Sequence, residues 1–259
     1  MIELTDSQIG AWVGQILWPL FRIASFLMVM PVVGTQIVPP RVRLVLAILL
    51  TSVVAPQVQQ VPAVDPLSLS AFTIVLQQVL IGVALGFVLV ILFQLFAVAG
   101  QAIAMQMGLG FASMVDPANG ISVAALGQFY LMLVTLLFLA MNGHLVAFTV
   151  IAESFDVLPI SENGISPAGW GLIVSRMSWL FAGALMIALP AVTALLLVNV
   201  AFGVMTRAAP QMNIFSIGFP VSVVLGLLFF WIGTADFLPH FNALTEDTLR
   251  FMQTVLDTP

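Results

Sequence analysis

The sequence predicts an all-α, polytopic membrane protein whose helices are overlong, short or broken. Three observations carry that expectation. Apolar residues fill 61% of the 259 positions and charged residues only 7%, where soluble domains run near a quarter charged. The apolar positions gather in runs near or beyond the roughly 20 residues that span a bilayer core. The central stretch Gln101–Gly120 is apolar too, yet it holds Gly108, Gly110, Pro117, Asn119 and Gly120, a poor set for a helix interior.

Composition also excludes whole classes of function. There is no cysteine, so disulfides, thiolate metal sites and cysteine nucleophiles are ruled out. All six basic residues are arginine, and the net charge of −5 gives no support to nucleic-acid binding. Residues 1–10 carry Glu3 and Asp6 and no basic residue. They lack the positive start of a cleavable signal peptide, so the first apolar run is expected to be retained.

Taken in order, the first run is Ile9–Met30, with Pro19 expected to bend it and Gly10 and Gly14 on one face. Arg22 lies near its middle, where a guanidinium must find a partner or water. Pro31, Gly34, Pro39, Arg41 and Arg43 mark a turn. The second run, Leu44–Ala55 before Pro56, is short for a full span and predicts a re-entrant or half-depth helix. Phe72–Gly100 is overlong; Gly82 and Gly86 give it a face for close packing. Gln77, Gln78, Gln94 and Gln101 supply amides that prefer a helix or water to lipid. Val123–Ile151 is interrupted at Asn142-Gly-His144, and Glu153–Gly169, with its acids and prolines, predicts an exposed loop. Gly171–Met205 is again too long for one simple span and holds Arg176, Pro190 and Asn199. Ile214–Phe237 follows a punctuated turn, and Phe241–Asp257 reads as an amphipathic helix. Arg22 and Asn199 are expected to be buried polar groups.

An apolar but helix-hostile loop survives at membrane depth only inside protein or against a cavity. Met105, Met107 and Met114 with Phe111 suggest a soft-sided loop within a passage, since unbranched thioethers re-pack easily; the bland alternative is an interfacial loop with chance methionines. Catalytic patterns are weak. His144 and His240 have no companions at metal-ligand spacing. Ser113 or Ser122 with His144 makes a hydrolase only on paper, because nothing fixes an oxyanion hole. Phosphate-binding loops and paired intramembrane acids are also missing, and unequal run lengths argue against an inverted-repeat transporter. A stand-alone small-solute transporter or channel and an intramembrane enzyme remain the rival classes. Arginines after runs one and five place those loops in the cytoplasm by the positive-inside rule.

Several motifs together resemble one family, the FliR-type proteins of the flagellar export gate and their virulence-secretion relatives. Foremost is Asn199-x-x-Phe202-Gly203-x-x-x-Arg207-x-x-Pro210-Gln211-x-Asn213-x-Phe215-x-x-Gly218-Phe219-Pro220. Pro31 with Gly34, then Pro39 with Arg43, is the second. Gly100-Gln101 through Gly108 and Phe111-Ala112 to Asp116-Pro117 is the third, and Ser154-Phe155 before Pro159 also fits.

The resemblance implies a non-enzymatic subunit of a channel for unfolded flagellar proteins, without cofactor, metal or catalytic residues. It implies helical hairpins rather than a simple six-span bundle: residues 1–170 would resemble a FliP-type subunit and residues 171–259 a FliQ-type hairpin and tail. Within a single membrane-embedded subunit, the loop over residues 101–120 would plug the closed channel through Met105, Met107, Gly108, Gly110, Phe111, Met114, Asp116 and Pro117. FliP-type and FliQ-type subunits would be its partners, with a FlhB-type subunit at the cytoplasmic entrance. Arg207, Pro210, Gln211, Asn213, Arg41 and Arg43 would make subunit contacts, with helix-end capping and snorkelling as the alternative for the polar members. The expected place is the bacterial inner membrane at the flagellar basal body, with the gate raised toward the periplasm. The resemblance implies a cytoplasmic C-terminus, against the vote of the loop charges, and that placement is the expectation.

Overall fold

Runs of apolar residues fold as helices in a membrane protein because each backbone N–H and C=O must be satisfied within its own segment. The computed structural model describes residues 6–58, 61, 62, 64, 65, 68–109, 125–209 and 214–258, with only the backbone for 6–13 and 214–217. The helices are α1 (Asp6–Val29), α2 (Pro40–Val54), α3 (Leu69–Gln106), α4 (Ala125–Ala140), α5 (Gly143–Val157), α6 (Pro167–Ala208), α7 (Ile214–Gly233) and α8 (Phe237–Asp257). Short 3₁₀ turns follow α2 at Ala55–Gln57 and α7 at Thr234–Asp236. Among the described residues there is no strand. The fold is all-α, with four helical stretches long and apolar enough to cross a membrane. The pair α4–α5, bent by 70° across its break, makes a fifth.

Lengths follow the sequence in the main, except that α3 runs on to Gln106, so residues 101–106 of the expected 101–120 loop are helix. Helix α3 has 38 residues, about 57 Å, and α6 has 42, about 63 Å, at the helical rise; the hydrocarbon core is only about 30 Å thick. Helix α6 continues through Pro190 and α1 through Pro19. The break between α4 and α5 falls at Asn142, whose φ of 58° lies in the left-handed region that asparagine tolerates better than most residues.

Two further expectations are corrected. The second run belongs to a helix longer than itself, because α2, at 15 residues, starts at Pro40, where the ring occupies the first turn and loses no hydrogen bond there. With the following 3₁₀ turn it makes an 18-residue stretch, Pro40–Gln57. Glu153–Gly169 is not one exposed loop either. Helix α5 runs on to Val157 with Ala147, Val150, Ile151, Ser154 and Phe155 buried, while Glu153 and Asp156 lie on its exposed face. The two acids lie on the exposed side of the last two turns of a helix, not in a loop.

The chain divides into two compact units. The first comprises Met1–Ile91, Phe138–Met177 and Glu246–Pro259, the second Leu92–Leu137 and Ser178–Thr245. In the first, α1 and α3 approach closely at Gly82 and Gly86. A Cβ on Gly82 would overlap Ser25 Oγ and the Arg22 carbonyl, and one on Gly86 would lie 3.0 Å from the Phe26 carbonyl oxygen. The turn between α1 and α2 closes through Gly34 N–H to the Met30 carbonyl at 2.8 Å. Arg43 donates to the carbonyls of Thr35 and Val38 across the same turn. Arg176 of α6 pairs with Asp247 of α8 at 2.5 Å and lies over the Phe251 ring.

In the second unit, aromatic rings pack the core alongside close glycine contacts. Phe96 packs against Phe237 and Phe241, and Tyr130 stacks on Phe237 with ring centres 5.4 Å apart. Gly100 admits the Tyr130 ring and the α4 backbone at Leu126 and Gly127.

Candidate functional site

The last four carbonyls of any helix have no partner within it, so the end of α3 poses an accounting problem at the entrance to the central loop. The chain resolves it with a left-handed glycine. Gly108 has φ +83°; its N–H donates to the Met105 carbonyl and the Leu109 N–H to the Ala104 carbonyl, both at 3.0 Å. This is the paired 5→2 and 6→1 bonding of a Schellman ending. The Ile103 carbonyl accepts from Met107 N–H. The Gln106 carbonyl is served from another helix: Asn199 of α6 donates to it through Nδ2 at 3.3 Å. Ser222 Oγ of α7 in turn donates to Asn199 Oδ1 at 3.2 Å.

Helix α7 brings Ser222 and Gly226 to this ending. Gly218, Ser222 and Gly226 repeat every fourth residue and all three are buried. Met107 is fully buried, and its thioether fills the space where a Cβ on Gly226 would stand. Phe219 borders Gly108, 3.2 Å from where a Cβ would be. Met105 points the other way and is 65% exposed.

A second constellation lies in the other unit. Arg22 is completely buried. Its Nε donates to Gln78 Oε1 at 2.8 Å, Nη1 to the Ser154 carbonyl at 2.8 Å and to Ser154 Oγ at 3.0 Å, and Nη2 to the Leu158 carbonyl at 2.8 Å. Its guanidinium carbon lies 4.2 Å from the centre of the Phe155 ring. Ser154 and Leu158 close the C-terminal turn of α5, where unpaired carbonyls and the helix dipole concentrate negative charge. The cation is therefore balanced by a helix end and an aromatic face.

The other predicted residues are spread more widely. Gly110, Phe111, Met114, Asp116 and Pro117 lie outside the described residues, as do Pro210, Gln211 and Asn213. Arg207 lies in the last turn of α6 and Arg41 in the first turn of α2, both exposed. Asn199 corrects an expectation: it is exposed, not buried. It stands on a part of α6 whose neighbours Leu196, Leu197 and Val200 are also exposed, and its amide reaches Gln106 and Ser222 from that edge. His240 Nδ1 lies 2.7 Å from the Asp236 carbonyl oxygen, and His144 meets the Phe148 ring edge-on. Among the described residues no group of His, Asp and Glu could hold a metal ion.

Residues 13–248 match the family described as bacterial export proteins, family 1. The chain belongs to that family. It is similar to the flagellar biosynthetic protein FliR of Escherichia coli K12, at 38% identity over 88% of this chain and 87% of the relative. The FliR of Pectobacterium carotovorum is 36% identical over the same shares, and that of Aquifex aeolicus 31% over 80% of each. This export-family chain is thus a FliR-type, membrane-embedded component with a role in flagellar export. Its helix pattern agrees with that place: several apolar stretches are long enough to span, and α6 exposes much of its apolar surface.

Sequence reasoning brought Asn199 and Gly108 forward in separate motifs, and in this export-family member the two motifs meet. It missed Ser222 and Gly226. The available signal was the four-residue repeat of small side chains at 218, 222 and 226 among bulky ones, a pattern for close helix contact. The carbonyls of Ser154 and Leu158 that hold Arg22 had no sequence signal, because every residue carries a carbonyl.

Proposed function

We propose that this chain is a non-enzymatic core subunit of the flagellar type III export gate, and that its central loop closes the channel until an unfolded polypeptide enters. Membership of the export family supports the setting. The observation that carries the loop's role is the fixed ending of α3 at Gly108, which delivers the chain into Gly110–Gly120 from a defined point. Met105, Met107, Gly108, Gly110, Phe111, Met114, Asp116 and Pro117 form the plug in this reading. Met107, buried over Gly226, anchors the start of the plug, while the other thioethers and the glycines suit a seal that must re-pack around varied side chains. Energy for export comes from other components, and the gate itself is passive.

The partners in this reading are FliP-type and FliQ-type subunits within the gate and a FlhB-type subunit at its cytoplasmic entrance. Residues 1–170 serve as the FliP-like part and residues 171–259 as the FliQ-like hairpin and tail. Exposed Arg41 and Arg207 are available for subunit contacts, together with Pro210, Gln211 and Asn213; Arg43 adds to them while bracing its own turn. The assembly sits in the bacterial inner membrane at the flagellar basal body, raised toward the periplasm.

The test is ion permeability of cells carrying loop variants in an otherwise intact export apparatus. Gly108→Val strains a backbone that only glycine adopts freely, at about 1–2 kcal/mol, and the closed channel is expected to leak. Deleting Phe111–Val115 is expected to leak more. Permeability unchanged in both variants, with the protein present at normal level, would sink the plug.

A further inference from the structure

We propose that Asn199 is a positioning residue that sets the end of α3, so that α6 and α7 control where the central segment begins. The claim rests on how the terminal groups of α3 are satisfied. Gly108 and Leu109 answer the Met105 and Ala104 carbonyls from within the turn. The Gln106 carbonyl is held by the Asn199 amide, which lies 93 residues along the chain. An amide can present either its oxygen or its nitrogen to a neighbour. Ser222, donating to Oδ1, orients Asn199 so that the nitrogen faces Gln106.

The next residue is held as well. Met107 is buried over Gly226, one turn beyond Ser222 on the same face of α7. A polar hold on Gln106 and an apolar one on Met107 act on consecutive residues. One hold alone would leave the chain free to swivel about it; two fix both position and rotation. Gly108 then turns the chain against Phe219. Asn199 needs no burial for this task, which accounts for its exposed place on α6. Its consequence for closure rests on the gate reading above, while the positioning claim is independent of it.

The chain has no cysteine, so one introduced thiol reports on one place. Leu109→Cys is made in the full chain within its native membrane and export apparatus, and its rate of reaction with a maleimide is measured. Asn199→Asp keeps the shape but replaces the donor with an acceptor facing the Gln106 carbonyl. Losing one net hydrogen bond multiplies the labelling rate by about fivefold. Ser222→Ala is expected to raise it less, and Gly226→Ala, which displaces Met107, to raise it with Asn199 intact. A reference thiol at Gln57→Cys is expected to keep its rate throughout, which separates a local release from general loosening. Unchanged labelling at position 109 in both the Asn199→Asp and Ser222→Ala backgrounds overturns the proposal. Should Asn199→Asp fail to accumulate, Ser222→Ala alone decides. Ion leak in the same cells tests the gate separately: faster labelling with no leak in any loop variant removes the plug and leaves the positioning role standing.

Discussion

At Arg22 a single side chain closes a helix that lies more than a hundred residues away in sequence. A guanidinium offers donors in a planar fork, whereas an ammonium is a point charge. Arg22→Lys is therefore expected to keep charge but lose at least one of the contacts to Gln78, Ser154 and Leu158. Arg22→Met leaves buried acceptors unpaired, and a loss of about 2–4 kcal/mol is expected, with Arg22→Lys between it and the native chain. Thermal unfolding in detergent ranks the three; equal melting of Arg22→Met and the native protein would contradict the capping role. That an arginine at this depth needed partners was legible in the sequence. Which partners it took was not, because two of them are backbone oxygens.

Among the elements, the glycines separate into contact makers and bystanders. On α3, Gly82 touches the α1 backbone so closely that even a methyl overlaps it, while a Cβ added to Gly171 on α6 would meet nothing within 4 Å. Gly82→Ala is expected to destabilise by about 1–3 kcal/mol through overpacking. Gly171→Ala is expected to be neutral or to gain up to about 1 kcal/mol of helix propensity. Paired unfolding measurements on the two variants check this, and the same sign for both would refute it. The four-residue spacing at Gly82 and Gly86 was readable before any fold was known. The end of α5 was not, since Glu153 and Asp156 read as loop charges until the buried stripe through Ser154 and Phe155 placed them on one side of a helix. The apparent shortness of the second run had a similar cause: the apolar core of α2 is shorter than the helix that carries it.

For the whole molecule, helices α3 and α6 are about twice as long as the hydrocarbon core is thick, so neither can be a simple perpendicular span. That much could be read from run lengths, as could the helical, membrane-bound class. The convergence of α3, α6 and α7 on Gln106–Gly108 was hidden, because contacts across about a hundred residues leave no local periodicity. A chain that serves as the proposed gate subunit should not stand alone. Native mass spectrometry of the chain, gently extracted from its own membrane, is expected to find one copy bound to several small apolar subunits. A complete, stable lone chain or homo-oligomer would favour a stand-alone transporter.

The way Arg22 is held also bears on acid. All four of its hydrogen bonds run to neutral oxygens, on an amide, a hydroxyl and two peptide groups. A cation paired with a carboxylate, as Arg176 is with Asp247, loses its counter-charge once that carboxylate takes up a proton. Among the described residues Arg22 has no such partner to lose. A fall in pH therefore strips no counter-charge from the four bonds that hold Arg22.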